Sequence, residues 1–208
     1  MTRAVARSIK RRRRGGPAIG VRGVGRSALP GMIIDLFCGG GGASLGLSWA
    51  MECDVDVAVN HCEAAIAMHT MNHPNTLHFR TDVFEVDPKR TVKRRRVDVL
   101  WLSPDCTHHS RARGGKPRDG KLRSLAWVGV NWAQQVQPRV IFLENVPEFL
   151  SWGPLYQRGD VLADGSDVPE KLIDTPIPER RGETFHSFIA ALTLAGYKVE
   201  WRSMRACD

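Results

Sequence analysis

The sequence has no CxxC pair, and its five cysteines (Cys38, Cys53, Cys62, Cys106, Cys207) are odd in number. That pattern argues against a disulfide scaffold or a zinc ribbon and for a reducing compartment. No apolar run approaches the roughly 18 residues that a membrane span needs, which excludes a transmembrane protein. There is no HExxH motif and no internal repeat. Acidic residues are absent from positions 1–31, where nine of the thirty basic residues stand: Arg3, Arg7, Lys10, Arg11, Arg12, Arg13, Arg14, Arg22 and Arg26. Without them the rest of the chain is close to neutral against its 22 acidic residues, so the formal charge of +8 describes a tail and not a domain.

What remains is ordinary for a globular protein. Hydrophobic residues make up 42% of the 208 and charged residues 25%, enough for a packed core in a single domain with an appendage. Residues 1–31 are rich in Arg, Gly and Ala, show neither helical nor strand periodicity, and read as a basic disordered tail. Three accounts of it stay open: a nucleic-acid-binding arm that neutralises phosphates, a targeting peptide lacking an amphipathic face, or translated upstream sequence with no role.

From Met32 onward, short apolar runs alternate with helical patterns. The runs predict strands at 32–37, 55–60, 97–102, 140–143 and 198–204, with a weaker one at 76–80. Helices are expected near 43–50, 62–72, 122–137 and 183–195. Such alternation implies an α/β, three-layer fold with a mostly parallel sheet covered on both faces. Residues 152–182 hold several Pro, Gly and charged residues and read as a surface insertion.

Three motifs fall at predicted strand ends. Asp35-Leu36-Phe37-Cys38 runs into Gly39-Gly40-Gly41-Gly42, a turn where the backbone can approach a ligand. It departs from G-x-G-x-x-G spacing, and Asp35 suits a cationic ligand group better than a pyrophosphate. Ser103-Pro104-Asp105-Cys106-Thr107-His108-His109 places a cysteine where it is suited to nucleophilic work. Arg111, Arg113 and Lys116 follow, favouring its thiolate or holding a phosphate backbone. The run 140–143 ends in Glu144-Asn145, a carboxylate whose partial desolvation would suit it to donate a proton. His69 and His73 are spaced i, i+4, yet they share a helical face with Ala65 and Ile66. Boundary packing explains them better than a metal site.

In that order, the three motifs resemble the DNA (cytosine-5)-methyltransferases, and Ser-Pro-Asp-Cys-Thr-His resembles members found in bacteria and their phages. The resemblance runs from Met32 to the end of the chain. It implies a Rossmann-like, S-adenosylmethionine-dependent methyltransferase fold, with S-adenosylmethionine on the Phe37–Gly42 loop and Asp35 near its methionine end. Gly39 and Gly41 shape that loop, Asp82 matches an adenine-contacting acid, and Leu125 lines the pocket. Cys106 would attack carbon 6 of a cytosine in DNA, and Glu144, followed by Asn145, would hold or protonate ring nitrogen 3. The base must then leave the helix, at a cost of a few kcal/mol. The expected setting is the cytoplasm of a bacterial or phage-infected cell, with DNA as partner and restriction-modification as context.

The sequence also departs from the family. Asp105 stands where a second proline is usual, and its charge would oppose a thiolate. His108 and His109 replace a small residue and an aromatic. His61 replaces the acid that holds the cofactor ribose, with Glu63 nearby. After Arg205-Ala206-Cys207-Asp208 the arginine-rich motif, the target-recognition domain and the final helix do not follow. The expectation is therefore a catalytic domain (32–208) incomplete at its C-terminus, one part of a truncated or split enzyme with a complementing chain. Two alternatives are an RNA cytosine-5 methyltransferase and a non-catalytic nucleic-acid-binding remnant.

Overall fold

The computed structural model describes residues 31–106 and 124–205, and the backbone of residues 2–8. In chain order the elements are β1 (Thr2–Ser8), β2 (Met32–Leu36), α1 (Gly42–Met51), β3 (Val57–Asn60), α2 (Glu63–Asn72), β4 (Leu77–Arg80), α3 (Pro88–Val92), β5 (Val97–Leu102), α4 (Trp127–Val136), β6 (Val140–Asn145), α5 (Glu183–Leu194) and β7 (Tyr197–Ser203). They build a seven-stranded sheet in the order β4-β3-β2-β5-β6-β1-β7. The five strands from β4 to β6 are mutually parallel. β1 runs antiparallel between β6 and β7 and joins them.

The central strands β2 and β5 are buried along their whole length, as parallel strands sandwiched between helices must be. Alternate residues feed opposite faces. Ile34, Leu36, Leu100 and Leu102 pack with Val128 and Trp132 of α4 and with Phe185 and Phe188 of α5. Ile33, Val99 and Trp101 pack with Leu47 of α1. The first face continues into an aromatic cluster in which Phe149 stacks on Trp152 at 5.1 Å and meets Phe185 and Phe188 edge-on. At the amino edge, buried Asp98 ties three segments: it accepts from Gly31 N–H (2.8 Å) and pairs with Arg96 (2.8 Å) and Arg139 (3.4 Å). Burial opposes its charge, but these partners outweigh that and hold the carboxyl below the usual carboxylate range.

One reading needs correction. Within the supposed disordered tail, Thr2–Ser8 is a strand. Its propensity is weak and its partners are remote in sequence: Val5 lies opposite Phe142 and Glu200. Two otherwise unpaired edges of β6 and β7 supply ladder hydrogen bonds that a local pattern cannot reveal. Gly31 is buried and bonded to Asp98 as well. The rest of the tail lies outside the described residues. Within 152–182 there are only short 3-10 turns at Glu170–Leu172 and Pro178–Arg180 and two isolated bridges, Leu155 with Pro176 and Val161 with Asp167.

Candidate active site

Register brings the motifs to one edge. Phe79 pairs with Val59, Val59 with Leu36, Leu36 with Leu102, and Leu102 with Leu143. The next residues therefore emerge side by side: Phe37 after β2, Asn60 and His61 at β3, Thr81 and Asp82 after β4, Ser103 to Cys106 after β5, and Glu144-Asn145 closing β6. Ligands of open α/β sheets bind beyond such carboxyl ends. A cleft of about 530 Å³ opens here, walled by Phe37, Asn60, Asp82, Ser103, Asp105 and Leu125 among others. That volume is of the size that small-molecule sites use.

The turn after β2 is bent hard. Phe37 adopts a left-handed φ of 69°, a conformation unusual for a side chain of its size. Its carbonyl accepts from Gly39 N–H at 2.8 Å and from the Ser103 hydroxyl at 3.4 Å. Cys38 N–H donates to Val59 O at 3.0 Å, pinning the turn to β3. Gly41 has φ 99°, and a Cβ there would lie 2.6 Å from the His73 ring. His73 donates from Nε2 to Gly41 O at 3.0 Å. His73 and Gly41 thus fit together only because position 41 lacks a side chain.

Of the residues expected to hold a cofactor, Phe37, Asp82 and Leu125 line the cleft. Gly39 and Gly41 shape the turn beside it. Asp35 lies behind the turn on the α1 side, 1% exposed, and receives the Ser44 hydroxyl at 2.7 Å. Burial pushes its carboxyl up to about 7 against the pull of that hydrogen bond, and burial followed by the Asp35 charge pushes the Cys38 thiol up to about 12. Asp82 accepts from Phe84 N–H at 3.1 Å, capping the Val83–Glu85 turn, which fixes the carboxylate against the cleft. Cys106 and Glu144 are half-buried and Asn145 is buried. Asn145 Oδ1 accepts from Val146 N–H at 2.9 Å, while its Nδ2 is buried without a hydrogen-bond partner. His108, His109, Arg111, Arg113 and Lys116 lie outside the described residues.

Sequence reasoning missed Asn60, Thr81 and Ser103 as cleft residues. Counting one step past the ends of β4 and β5 would have found Thr81 and Ser103, whereas Asn60 is the closing residue of β3 itself. It also missed the contacts of Ser44 with His69 and of His69 with His78, which join α1, α2 and β4 and have no signature in linear spacing.

The profile of the C-5 cytosine-specific DNA methylases matches residues 31–153, more than half of the chain. The chain belongs to that family. Among curated relatives, the type II methyltransferase M.Sau3AI of Staphylococcus aureus is 24% identical over 189 residues, covering 85% of this chain and 39% of that protein. The type II methyltransferase M.AgeI of Thalassovita gelatinovora is 32% identical over 137 residues, covering 63% of this chain and 30% of that protein. This methylase chain therefore spans well under half the length of either. A solved structure from an Escherichia coli prophage, described as a DNA modification methyltransferase, superposes with a TM-score of 0.50 at 30% identity, over 58% of this chain and 33% of that one. The Rossmann-like methyltransferase fold expected from the motifs is the fold present. Among the described residues of the methylase, no helix is long and apolar enough to cross a membrane.

Proposed function

We propose that this chain carries the catalytic part of a DNA (cytosine-5)-methyltransferase. The observation that carries the reading is the common edge at which Phe37, the Ser103–Cys106 loop and Glu144-Asn145 emerge, beside a cleft lined by Phe37, Ser103 and Asp105, in a chain of this family. The residues present fit S-adenosylmethionine. Phe37 and Leu125 offer apolar walls, Asn60 and Asp82 offer polar groups, and Asp35 Oδ1 is buried behind the glycine turn with no hydrogen-bond partner. When bound, that cofactor supplies an electrophilic methyl group.

The protein's own groups then act on the base. The Cys106 thiolate adds to carbon 6 of cytosine, and the electron pair of the 5,6 double bond makes carbon 5 nucleophilic. Glu144 holds or protonates nitrogen 3, so charge does not accumulate on the ring. The Asn145 amide is available to orient this end of β6. After carbon 5 gains its methyl group, it loses its proton and the carbon–sulfur bond breaks, restoring the double bond and releasing Cys106. Both ring faces and edges must be reached, so the base is read outside the helix. Target choice is assigned to sequence beyond this stretch, in the same protein or in a complementing chain.

The test is labelled methyl transfer from S-adenosylmethionine into duplex DNA, with and without a chain supplying target recognition. Cys106→Ala should abolish incorporation, and DNA containing 5-fluorocytosine should trap wild-type protein covalently because fluorine cannot leave as a proton does. Incorporation into transfer RNA in place of DNA would reassign the substrate, and cofactor-independent DNA binding without transfer would reduce the chain to a binding module.

A further inference from the structure

On the α1–α2 side of the sheet, an unbroken line of hydrogen bonds leads from the glycine turn toward the surface. Asp35 Oδ2 and Ser44 Oγ are 2.7 Å apart, Ser44 Oγ and His69 Nε2 3.0 Å, and His69 Nδ1 and His78 Nε2 2.8 Å. Asp35, Ser44 and His69 are each no more than 1% exposed, whereas His78 on β4 is half-buried. A hydroxyl donates one proton and accepts another, and a neutral imidazole donates from one nitrogen and accepts at the other. The line therefore has two self-consistent directions.

In the first direction, protonated Asp35 donates to Ser44, Ser44 donates to His69 Nε2, and His69 Nδ1–H donates to His78 Nε2. His78 keeps its own proton on Nδ1. In the second, each bond is reversed: His78 Nε2–H donates to His69 Nδ1, His69 Nε2–H donates to Ser44, and Ser44 donates to an Asp35 carboxylate. Passing from first to second breaks one O–H or N–H bond at each station as the next forms. The net change is one proton moved from Asp35 to His78, which becomes a cation that can release the proton to solvent.

We propose that Ser44, His69 and His78 form a proton relay through which Asp35 becomes a carboxylate when a cationic ligand group, the sulfonium or the ammonium of the cofactor, settles on the glycine turn. The ligand half of this inference rests on the cofactor reading above. Asp35 Oδ1, buried and unpartnered, is the acceptor such a cation would use. His69 is suited to pass a proton without keeping it: burial first, then His73 and His78, push it down to about 4. At the outer end burial holds the His78 imidazole below its ordinary value, a backbone hydrogen bond at Thr76 opposes that, and His73 adds to it, so a proton that reaches His78 is readily passed on to solvent. The other titratable groups facing the line are engaged with partners of their own or held in one form. His73 is engaged with Gly41 O, with its ring 4.6 Å from His69. Cys38 is held as a thiol. On the surrounding elements Glu63 pairs with Arg80 and Asp98 with Arg96, and α1 carries no charged residue.

NMR of the full chain with 15N-labelled histidine, from about pH 5.5 to 8.5, reads the relay without any turnover. His69 should carry its proton on Nδ1 at the acid end and on Nε2 at the alkaline end. S-adenosylmethionine should move the midpoint of that tautomer switch down by about one unit or more, the size of effect that a close opposite charge produces. S-adenosylhomocysteine lacks the sulfonium but keeps the ammonium. An equal shift with it assigns the ammonium as the sensed cation, and no shift assigns the sulfonium. Ser44→Ala, checked as folded by its amide spectrum, should freeze His69 in one tautomer. A wild-type His69 with one tautomer throughout overturns the relay, as does a switch that survives in Ser44→Ala. Calorimetric binding of S-adenosylmethionine with no movement of the midpoint severs the relay from the ligand. No binding heat, with the switch still present, counts instead against the cofactor reading and removes the ligand half of the proposal with it.

Discussion

Burial lifts the Asp35 carboxyl to about 7, whereas in an unfolded chain it titrates near its ordinary value of 3.8. Between those two values the folded state holds a proton that the unfolded state has lost. Stability therefore falls as pH rises through that window and levels off above it. Asparagine at position 35 has no such proton to lose. Urea melts should show Asp35→Asn equal to wild type near pH 4, then increasingly more stable toward pH 7, with a constant advantage beyond. The same variant should lose S-adenosylmethionine binding at pH 8, since an amide cannot become the anion that a cation needs. A wild type as stable as Asp35→Asn at pH 8 would mean that the carboxylate is satisfied in the folded state. Stability and function thus pull against each other at this residue, a common pattern where a site is built from a poorly solvated group.

At the scale of elements, what was legible depended on how local each signal is. β2 and β5 are continuous apolar runs flanked by turn residues, so their positions could be read almost to the residue. The common edge of Phe37, Cys106 and Glu144 followed from strand alternation and from the motifs together, whereas Asp82 and Leu125 came only through the family resemblance. β1 was not legible. Thr2–Ser8 has no apolar alternation, and its pairing with β6 and β7 exists only after the remainder of the sheet is in place. The Ser44, His69 and His78 contacts were hidden for the same reason, as they join three elements that are distant in sequence. β1 can be tested through its backbone alone. Val5 sits mid-strand between Phe142 and Glu200, and proline there removes a ladder donor and is poorly tolerated inside a sheet. Val5→Pro should cost about 3 kcal/mol or more of stability. Amide exchange should quicken across Tyr197–Ser203, which β1 joins to the sheet, while Val97–Leu102 stays protected. Unchanged exchange in β7 would mean that its edge does not depend on β1.

At the scale of the whole molecule, the positive charge is concentrated in one stretch. The body is nearly neutral, while 1–31 holds nine basic residues and no acid, so any long-range pull on a phosphate backbone should originate in the tail. Deleting the entire tail would not test this cleanly, because Thr2–Ser8 is part of the sheet and Gly31 is bonded to Asp98. The run Lys10-Arg11-Arg12-Arg13-Arg14 follows the strand and holds five of the nine charges. Changing all five to glutamine leaves both anchored ends intact. Each phosphate neutralised contributes about 0.9 to the slope of log affinity against log salt. If these residues contact duplex DNA, the slope should become shallower by about 4, with a similar loss for every DNA sequence tried. The thermal midpoint should not move, since the strand Thr2–Ser8 and Gly31 keep their sequence. A slope unchanged by the substitutions would place the phosphate contacts on the body, and residues 10–14 would then have no role in holding DNA.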